Sequence, residues 1–454
     1  MWNCDAHHRS PPDSLPAGNM AGFRDWHCRF RSHRDVRSAR ACNLSSEERA
    51  KSVTPLVVQQ RPSAAAHIDE AAGTDSAAFL DHVRRFTRER VAPVAGLIDR
   101  SDEIGTELFG ELARQGLFAN SLGYQADQPH GGPERVRFLL QVLEEISRVS
   151  PSVAKAVMDQ NLGQIGMLRD YAGPDLRDRY LDAIRTGEKQ AAFAMSEPQT
   201  GSNVARFTTV ATPVEGGYRI SGEKDWITGA ARRTVHFVVA KPTPESREVG
   251  LFLVDRTKLG AGDGTVEIDD RKEKLGLRGL GEFHIRYHDV FVPVEQVVLG
   301  FERGTLRRIM RHYNGKRLGQ SAICLGLSKS ALRTAFDYAS ARLPAGSPGH
   351  LAMQSTLAPL VSELRAAQHL VDWAAGEWAA GDETGAPSAM AKYVTGDLAQ
   401  RVTNAAAQVC GANGLSDKMP LARLMRDARM LTMAGGAAEV LRGTVAQNLD
   451  RLLD

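Results

Sequence analysis

The spacing of hydrophobic residues changes twice along this 454-residue chain. From about residue 75 to residue 190, apolar residues recur every three or four positions, as on one face of a helix. From about residue 191 to residue 300, short segments with alternating β-branched or aromatic residues lie between turns rich in Gly and Pro. Beyond residue 300 the helical spacing returns. The pattern predicts a helical unit, a compact antiparallel sheet unit and a second helical unit.

The clearest helical stripe lies in the segment "AAFLDHVRRFTRERVAPVAGLID". The long periodic stretches after residue 300 are joined by short loops, which favours a helical bundle. We expect an N-terminal helical domain over residues 73–190, a middle β domain over 191–300 and a C-terminal helical bundle over 301–454. The apolar stripe of the first helical segment consists of Phe79, Leu80, Val83, Phe86 and Val91.

Residues 1–72 differ from the rest of the chain. The stretch "AGFRDWHCRFRSHRDVRSAR" is rich in Arg and His and has little periodicity, and "QRPSAAAHIDEAAGTDS" has the composition of a linker. Such segments bury too little apolar surface to offset the entropy lost on ordering. We interpret residues 1–72 as disordered or as a start-site extension; a targeting peptide or a nucleic-acid-binding tail is the alternative.

The charge balance excludes some classes of partner. The chain carries 57 basic and 54 acidic residues, so a general nucleic-acid or membrane surface is not expected. The cysteines show no CxxC pair or metal-ligand spacing, which predicts neither disulfides nor a metal site, and no apolar run reaches the roughly 18 residues that span a bilayer. We expect a cytoplasmic protein without a membrane segment. The cysteines are Cys4, Cys28, Cys42, Cys324 and Cys410.

Four stretches stand in the order of known signatures of one enzyme family. They are "FAMSEPQTGSNV", "GEKDWITGA", "EKLGLRGLGEFHIRYHDVFVPVEQVVLG" and "AAAQVCGANGLSDKMPLARLMRDARM". Together they resemble the acyl-CoA dehydrogenase family over roughly residues 75 to 445. The resemblance implies an α+β fold with an N-terminal helical domain, a middle antiparallel β-barrel-like domain and a C-terminal four-helix bundle. It also implies FAD as the cofactor and an acyl thioester as the substrate.

A flavin ring is flat and largely apolar with a polar edge, so its site needs an apolar face and a few fixed donors. Trp226 can supply the face, and strand alternation would place the Thr228 hydroxyl on the same side. The resemblance implies that Thr228 binds near the flavin's reactive nitrogen and that Ser196 holds the pyrimidine edge. It assigns Ser202 to the pantetheine or phosphate part of the substrate. The alternative is a core tryptophan and two serines that cap turns.

The resemblance also implies an oligomer. In the family, an Arg and a Gln reach across a subunit interface to the diphosphate and adenosine of the neighbour's FAD, and the matching residues are Arg342 and Gln408. A guanidinium binds phosphate oxygens in pairs; the alternative is that Arg342 caps a helix. The pattern departs from the family at Ala345, Ala412 and Ala437, which predicts looser FAD binding. We expect a homo-oligomer, either a tetramer or a dimer.

The family's catalytic base is missing from its usual position. In typical members a Glu removes the substrate's α-proton while a hydride leaves the β-carbon, and its place falls on Gly435. The main-chain N–H of Gly435 can still bind the thioester carbonyl. A second branch of the family carries the base at the position of Lys316. Burial and the adjacent Arg317 would lower the pKa of Lys316, so Lys316 is the first candidate base and Glu439 the second; a structural lysine is the alternative.

These features predict an FAD-dependent oxidoreductase that transfers a hydride from the β-carbon of an acyl thioester to flavin. Asn314 replaces an expected Asp near the pantetheine path, so the acyl group is carried by CoA or by an acyl carrier protein, with Asn314 and Arg317 on the substrate side. The alternatives are flavin-dependent oxygenation, redox-neutral α-deprotonation with displacement, and a non-catalytic flavin-bearing binding protein. The electron acceptor is left open.

Overall fold

The computed structural model describes residues 76–118, 132–201, 203 and 206–454. Within these ranges the predicted order of helical, sheet and helical units is confirmed. The N-terminal segment predicted over residues 1–72 lies outside the described residues, and so does Ser202.

The first unit is helical, as the apolar stripe predicts. The chain leaves α1 through a π-helical turn and a 3-10 turn, and Val83, Phe86 and Val91 of the stripe are buried. Phe79 and Leu80 pack against the same core from partly exposed positions. The described helices are α1 (Ser76–Phe86), α2 (Ala95–Ser101), α3 (Thr106–Arg114), α4 (Gly132–Ser147), α5 (Pro151–Asp159), α6 (Gln164–Tyr171) and α7 (Pro174–Arg185).

The middle unit contains two four-stranded sheets, with strand orders β1-β4-β5-β8 and β2-β3-β7-β6. The strands are β1 (Ala191–Ala194), β2 (Val210–Val214), β3 (Gly217–Thr228), β4 (Val235–Ala240), β5 (Gly250–Asp255), β6 (Thr265–Ile268), β7 (Glu282–Pro293) and β8 (Val297–Leu299). The ladder pairs are antiparallel except β1 with β4, which run parallel. The chain passes through β2 and β3 of the other sheet between them, and a parallel pair requires such a crossover.

The last unit consists mainly of four long helices: α8 (Thr305–Ser340), α9 (Pro348–Ala379), α10 (Ala386–Cys410) and α11 (Leu421–Leu431). Two short helices follow, α12 (Ala438–Ala446) and α13 (Leu449–Leu453). The 36-residue α8 packs against α9 and α10 and also against α4 and α5, so one apolar core joins both helical units. Across the described part of the chain, the helices lack the combination of length and apolarity needed to cross a bilayer.

A buried carboxyl joins the loop before β7 to the C-terminal unit. Asp427 on α11 accepts a hydrogen bond from the backbone N–H of Leu277 at 2.6 Å, while its neighbour Arg426 pairs with Asp99 at 2.9 Å. Gly276 permits this contact because a Cβ there would collide with the carbonyl oxygen of Arg426. Burial raises the pKa of Asp427 to about 6.

We expect Asp427→Asn to unfold at a temperature roughly 2–5 °C above that of the wild type at pH 8. The folded protein binds the Asp427 proton more tightly than the unfolded chain, whose Asp pKa is about 3.9. The free energy of unfolding therefore falls as pH rises from about 4 to about 6, and the amide removes this loss. Thermal unfolding followed by circular dichroism between pH 4 and pH 8 measures the effect. Exposed Asp270→Asn is the control, and a lower unfolding temperature for Asp427→Asn at pH 8 would contradict the prediction.

Candidate active site

Trp226 presents an aromatic face at the end of β3. The ladder between β3 and β7 skips between Lys224 and Ile227, so Asp225 and Trp226 form a bulge. Trp226 has a left-handed φ of 58°, and its side chain is 53% exposed. The ammonium of Lys272 lies 5.4 Å from the indole ring centre. The bulge interrupts the strict alternation from which we placed Thr228 on the same side as Trp226.

The Thr228 hydroxyl is held by two charged side chains. It donates to Oε1 of Glu282 at 3.0 Å and accepts from Nζ of Lys155 at 3.1 Å. Lys155 belongs to α5 and Glu282 to β7, so Thr228 lies where the sheet meets the N-terminal helices. An exposed aromatic face at Trp226 and a fixed hydroxyl two residues later are the kinds of group that a flat ring with a polar edge requires. The residues present therefore fit FAD.

Asp159 is the centre of a buried group of cations. Its carboxylate lies 3.1 Å from Lys155, 3.0 Å from Lys316 and 3.1 Å from Arg233. Burial alone would raise the pKa of Asp159, but the three cations outweigh burial and hold this pKa well below its usual range. The arrangement joins α5, α8 and the loop before β4 through ion pairs and hydrogen bonds to one carboxylate.

Further charges extend this group past Thr228. Nζ of Lys274 lies 3.8 Å from Asp102 and 4.0 Å from Glu282. Burial raises the pKa of Glu282. Among the described residues, none hydrogen-bonds Nζ of Lys274 or Oε2 of Glu282. We call Lys155, Asp159, Arg233, Lys274, Glu282, Lys316 and Asp102 the buried charge cluster; in it, four cations face three carboxyl groups.

Two cations hold the loop in which Gly435 occupies the position of the family's catalytic base. Nε of Arg317 donates to the carbonyl of Gly435 at 3.1 Å, and Nζ of Lys392 donates to Gly436 at 2.9 Å and to Thr432 at 3.0 Å. Burial lowers the pKa of Lys392 to about 8. Gly435 and Gly436 both have left-handed φ values, 77° and 115°, which favour glycine. The backbone conformation of this loop therefore favours glycine at positions 435 and 436.

Gln320 on α8 fills the space over Gly435. A Cβ added at Gly435 would collide with Oε1 of Gln320 and lie 2.8 Å from its Cδ. Gln320 is 3% exposed, and no described residue hydrogen-bonds its Oε1. A neutral carboxamide thus stands where a side chain at position 435 would begin.

The other predicted substrate-side residues lie on or near α8 and separate into two directions. Lys316 reaches Asp159, with its ammonium 5.9 Å from the ring centre of Phe193. Arg317 turns to Gly435 and to Oδ1 of Asn314, which it contacts at 2.7 Å. Glu439 is exposed in the first turn of α12. The role of Lys316 or Glu439 as a base stays a prediction.

The remaining predicted cofactor residues belong to three different segments: Ser196 follows β1, Arg342 follows α8 and Gln408 lies on α10. The carbonyl of Ser196 accepts a hydrogen bond from Asp225 N at 2.9 Å, which links the chain after β1 to the bulge. Arg342 and Gln408 are exposed, and the guanidinium of Arg342 stacks on Tyr338 with its carbon 5.1 Å from the ring centre. Their predicted contact with a neighbouring subunit's FAD stays a prediction.

Sequence reasoning missed Glu197, which pins the loop after β1. Its carboxylate accepts from Lys224 Nζ at 2.8 Å and from the backbone N–H groups of Thr208 and Thr209 at 2.6 and 3.1 Å. Lys224 also lies 4.5 Å from the ring centre of Phe207. This buried pair closes the base of the loop whose sequence contains the predicted substrate contact at position 202.

Sequence reasoning also missed Lys155, Asp159, Glu282 and Gln320. The segment "SVAKAVMD" carried a usable signal, because Lys155 and Asp159 are four residues apart within an otherwise apolar helix. Such a pair indicates burial of a charged group that needs a partner. Nothing comparable marks Gln320.

Three family models match the chain in sequence order. The model described as acyl-CoA dehydrogenase, N-terminal domain, matches residues 74–188; the middle domain matches 192–290; and the C-terminal domain matches 303–449.

The matches to individual relatives cover nearly the whole length of each relative. The chain is 32% identical to 3-sulfinopropanoyl-CoA desulfinase of Paraburkholderia xenovorans, covering 81% of this chain and 93% of the relative. It is 30% identical to benzylmalonyl-CoA dehydrogenase of Aromatoleum aromaticum, covering 82% and 97%. Among solved structures, a glutaryl-coenzyme A dehydrogenase in complex with glutaryl-CoA superposes with a TM-score of 0.75 at 26% identity, covering 82% of this chain and 94% of the other.

Proposed function

Since the chain belongs to the acyl-CoA dehydrogenase family of FAD-dependent oxidoreductases acting on acyl-CoA, we propose that its substrate is a short acyl-CoA with a second, anionic group on the acyl chain. We further propose that it releases this group, a sulfinate, from the β-carbon. The observation that carries the proposal is the buried charge cluster beside Thr228.

The cluster supports an anionic acyl group for an energetic reason. A buried cation without a counterion is costly, and four basic groups here face only three carboxyl groups. Burial raises the pKa of Glu282 and lowers the pKa of Lys274, so the excess of one positive charge is the same whether these two groups are both ionised or both neutral. Lys155 touches the Thr228 hydroxyl, which the family places beside the reactive part of the flavin. The excess positive charge therefore lies toward the acyl end of the substrate. Relatives named for 3-sulfinopropanoyl-CoA and benzylmalonyl-CoA act on acyl groups of this kind.

The Gly435 loop favours release of sulfinate over removal of an α-proton. Glycine offers no carboxylate, and the atoms nearest to a Cβ built on Gly435 belong to the neutral side chain of Gln320. Desulfination needs no net oxidation: the C–S bond breaks, the sulfur leaves with its two oxygens and adds water, and the β-carbon gains a proton. Water and 3-sulfinopropanoyl-CoA thus give propanoyl-CoA and hydrogensulfite. FAD, when bound, supplies an electron-accepting ring beside the acyl chain.

Dehydrogenation of an anionic acyl-CoA is the second candidate. It is favoured by the position of Lys316, the first candidate base, at one end of the contacts that run through Asp159 and Lys155 to Thr228. In this case a hydride leaves the β-carbon, as the family resemblance implies. The carrier in both candidates is CoA; an acyl carrier protein stays a prediction.

Anaerobic mixing of the holoenzyme with three thioesters tests these candidates. With 3-sulfinopropanoyl-CoA we expect hydrogensulfite to form while the flavin stays yellow. Bleaching of the flavin by glutaryl-CoA, without hydrogensulfite from the sulfinate, would support the second candidate instead. Butanoyl-CoA is the control without an anionic group. If butanoyl-CoA were turned over as fast as either acidic thioester, the proposed substrate class would be wrong.

A further inference from the structure

Gln320 has no part in the chemistry described so far, although it is buried beside Gly435. It follows Arg317 on α8 by three residues, so these two side chains lie on neighbouring positions of the helix surface, and both reach Gly435. Its Oε1 has no hydrogen-bond partner among the described residues. A buried acceptor of this kind costs about 1–3 kcal/mol unless a ligand or water completes it. The carboxamide oxygen is therefore available to a ligand or a water molecule.

The position of the carboxamide coincides with the start of the missing side chain. Built on Gly435, a Cβ would overlap Oε1 of Gln320 and approach its Cδ to 2.8 Å and its Nε2 to 3.0 Å. Arg317 and Lys392 donate to the carbonyls of Gly435 and Gly436 and hold the loop in place, so relief of the overlap would require the Gln320 side chain to move. A side chain from α8 thus occupies space that the loop leaves open.

We propose that Gln320 is a specificity-determining residue that stands in for the missing base as a neutral isostere. It contacts the substrate at the α-carbon and, because a carboxamide does not accept a proton at neutral pH, it keeps the α-proton in place. Its oxygen Oε1 accepts a hydrogen bond from a water molecule beside the bound thioester. The inference rests on the family fold and deepens the proposed release of a β-substituent, since that reaction requires the α-carbon to stay protonated.

Exchange of the α-protons of butanoyl-CoA in D2O, followed by mass spectrometry, tests this role without the proposed reaction. Wild-type holoenzyme should exchange slowly. Gln320→Glu places a carboxylate over Gly435, and we expect exchange to rise by about 10²- to 10⁴-fold. Gln320→Met is the matched control of similar volume and should exchange no faster than wild type. FAD content and unfolding temperature, measured on each variant, separate this effect from a structural one.

A second variant covers failure of Gln320→Glu to fold or retain FAD. Gln320→Ala opens the same space, and added acetate should then accelerate exchange in a concentration-dependent way, whereas acetate should leave Gln320→Met unchanged. Rapid exchange by the wild type would show a working base elsewhere and overturn the proposal. Folded Gln320→Glu with wild-type exchange, or Gln320→Ala without acetate rescue, would overturn it as well. None of these outcomes depends on hydrogensulfite release, so the two proposals fail independently.

Discussion

Lys155→Met is expected to lower kcat/KM for hydrogensulfite release from 3-sulfinopropanoyl-CoA by about two to three orders of magnitude. Lys155 is 7% exposed and joins the buried charge cluster to the Thr228 hydroxyl. Removing one partner of a buried charge pair at a binding interface costs about 2–5 kcal/mol of binding free energy, and each 1.4 kcal/mol is about tenfold. Steady-state assays with 3-sulfinopropanoyl-CoA, with FAD content determined in parallel, measure the loss.

The chain offers controls for this variant. Lys189 pairs with Asp255 at 2.9 Å, away from the buried charge cluster, so Lys189→Met removes a comparable ion pair without touching the site. Lys155→Arg retains the cation and should keep more activity than Lys155→Met. Asp159 retains Lys316 and Arg233 in either variant, which favours a folded protein. An unchanged kcat/KM in Lys155→Met would remove the anionic subsite from the proposal.

The fold was predictable because its signals are local. A change of hydrophobic period reports whether a segment is helix or strand, and the stripe around Val83 and Val91 became a buried face as expected. The parallel pairing of β1 with β4 was not predictable in this way. β2 and β3, which lie between β1 and β4 in the sequence, belong to the other sheet. Tertiary packing therefore decides that β1 and β4 pair, and the sequence of neither strand encodes the direction of its partner.

The site was predictable only where a residue type matched a known signature. Trp226 and Gly435 were identified, but the bulge that exposes Trp226 depends on the register of β3 against β7. The buried charge cluster unites α5, α8 and the loop before β4, so its members are far apart in sequence. Gln320 shows the same limit: its position on α8 indicates an inward side chain, whereas its contact with Gly435 depends on how the loop before α12 packs.

Together these contacts give the glycine at position 435 a consistent explanation. Its left-handed φ acts against any larger residue, and a side chain there would also have to displace the carboxamide of Gln320. Arg317 on α8 and Lys392 on α10 fix the loop from two helices. The missing base is thus part of an arrangement involving several elements, and restoring Glu at position 435 alone would meet both obstacles.

Asp159→Asn is expected to cost about 3–5 kcal/mol of the free energy of unfolding, because it leaves buried cations without their counterion. The asparagine keeps an oxygen that accepts hydrogen bonds, but Lys155, Lys316 and Arg233 then repel one another in a buried place. Glu282 is poorly suited to replace the lost charge, because burial raises its pKa. Urea unfolding of the holoenzyme, followed by circular dichroism and by flavin release, measures the cost.

Asp255→Asn is the matched control, because Asp255 is equally buried but faces a single cation. It accepts from Lys189 and from the hydroxyl of Tyr180, both at 2.9 Å, and from Thr257 at 2.6 Å. The amide oxygen of asparagine keeps the donors of Thr257, and the Tyr180 hydroxyl, which also has acceptor lone pairs, turns to accept from the amide NH2. This variant should therefore lose only about 1–2 kcal/mol. Equal losses in both variants would show that the three cations around Asp159 do not depend on its charge. The excess positive charge would then be tolerated by the protein itself, and the physical reason for an anionic substrate would be lost.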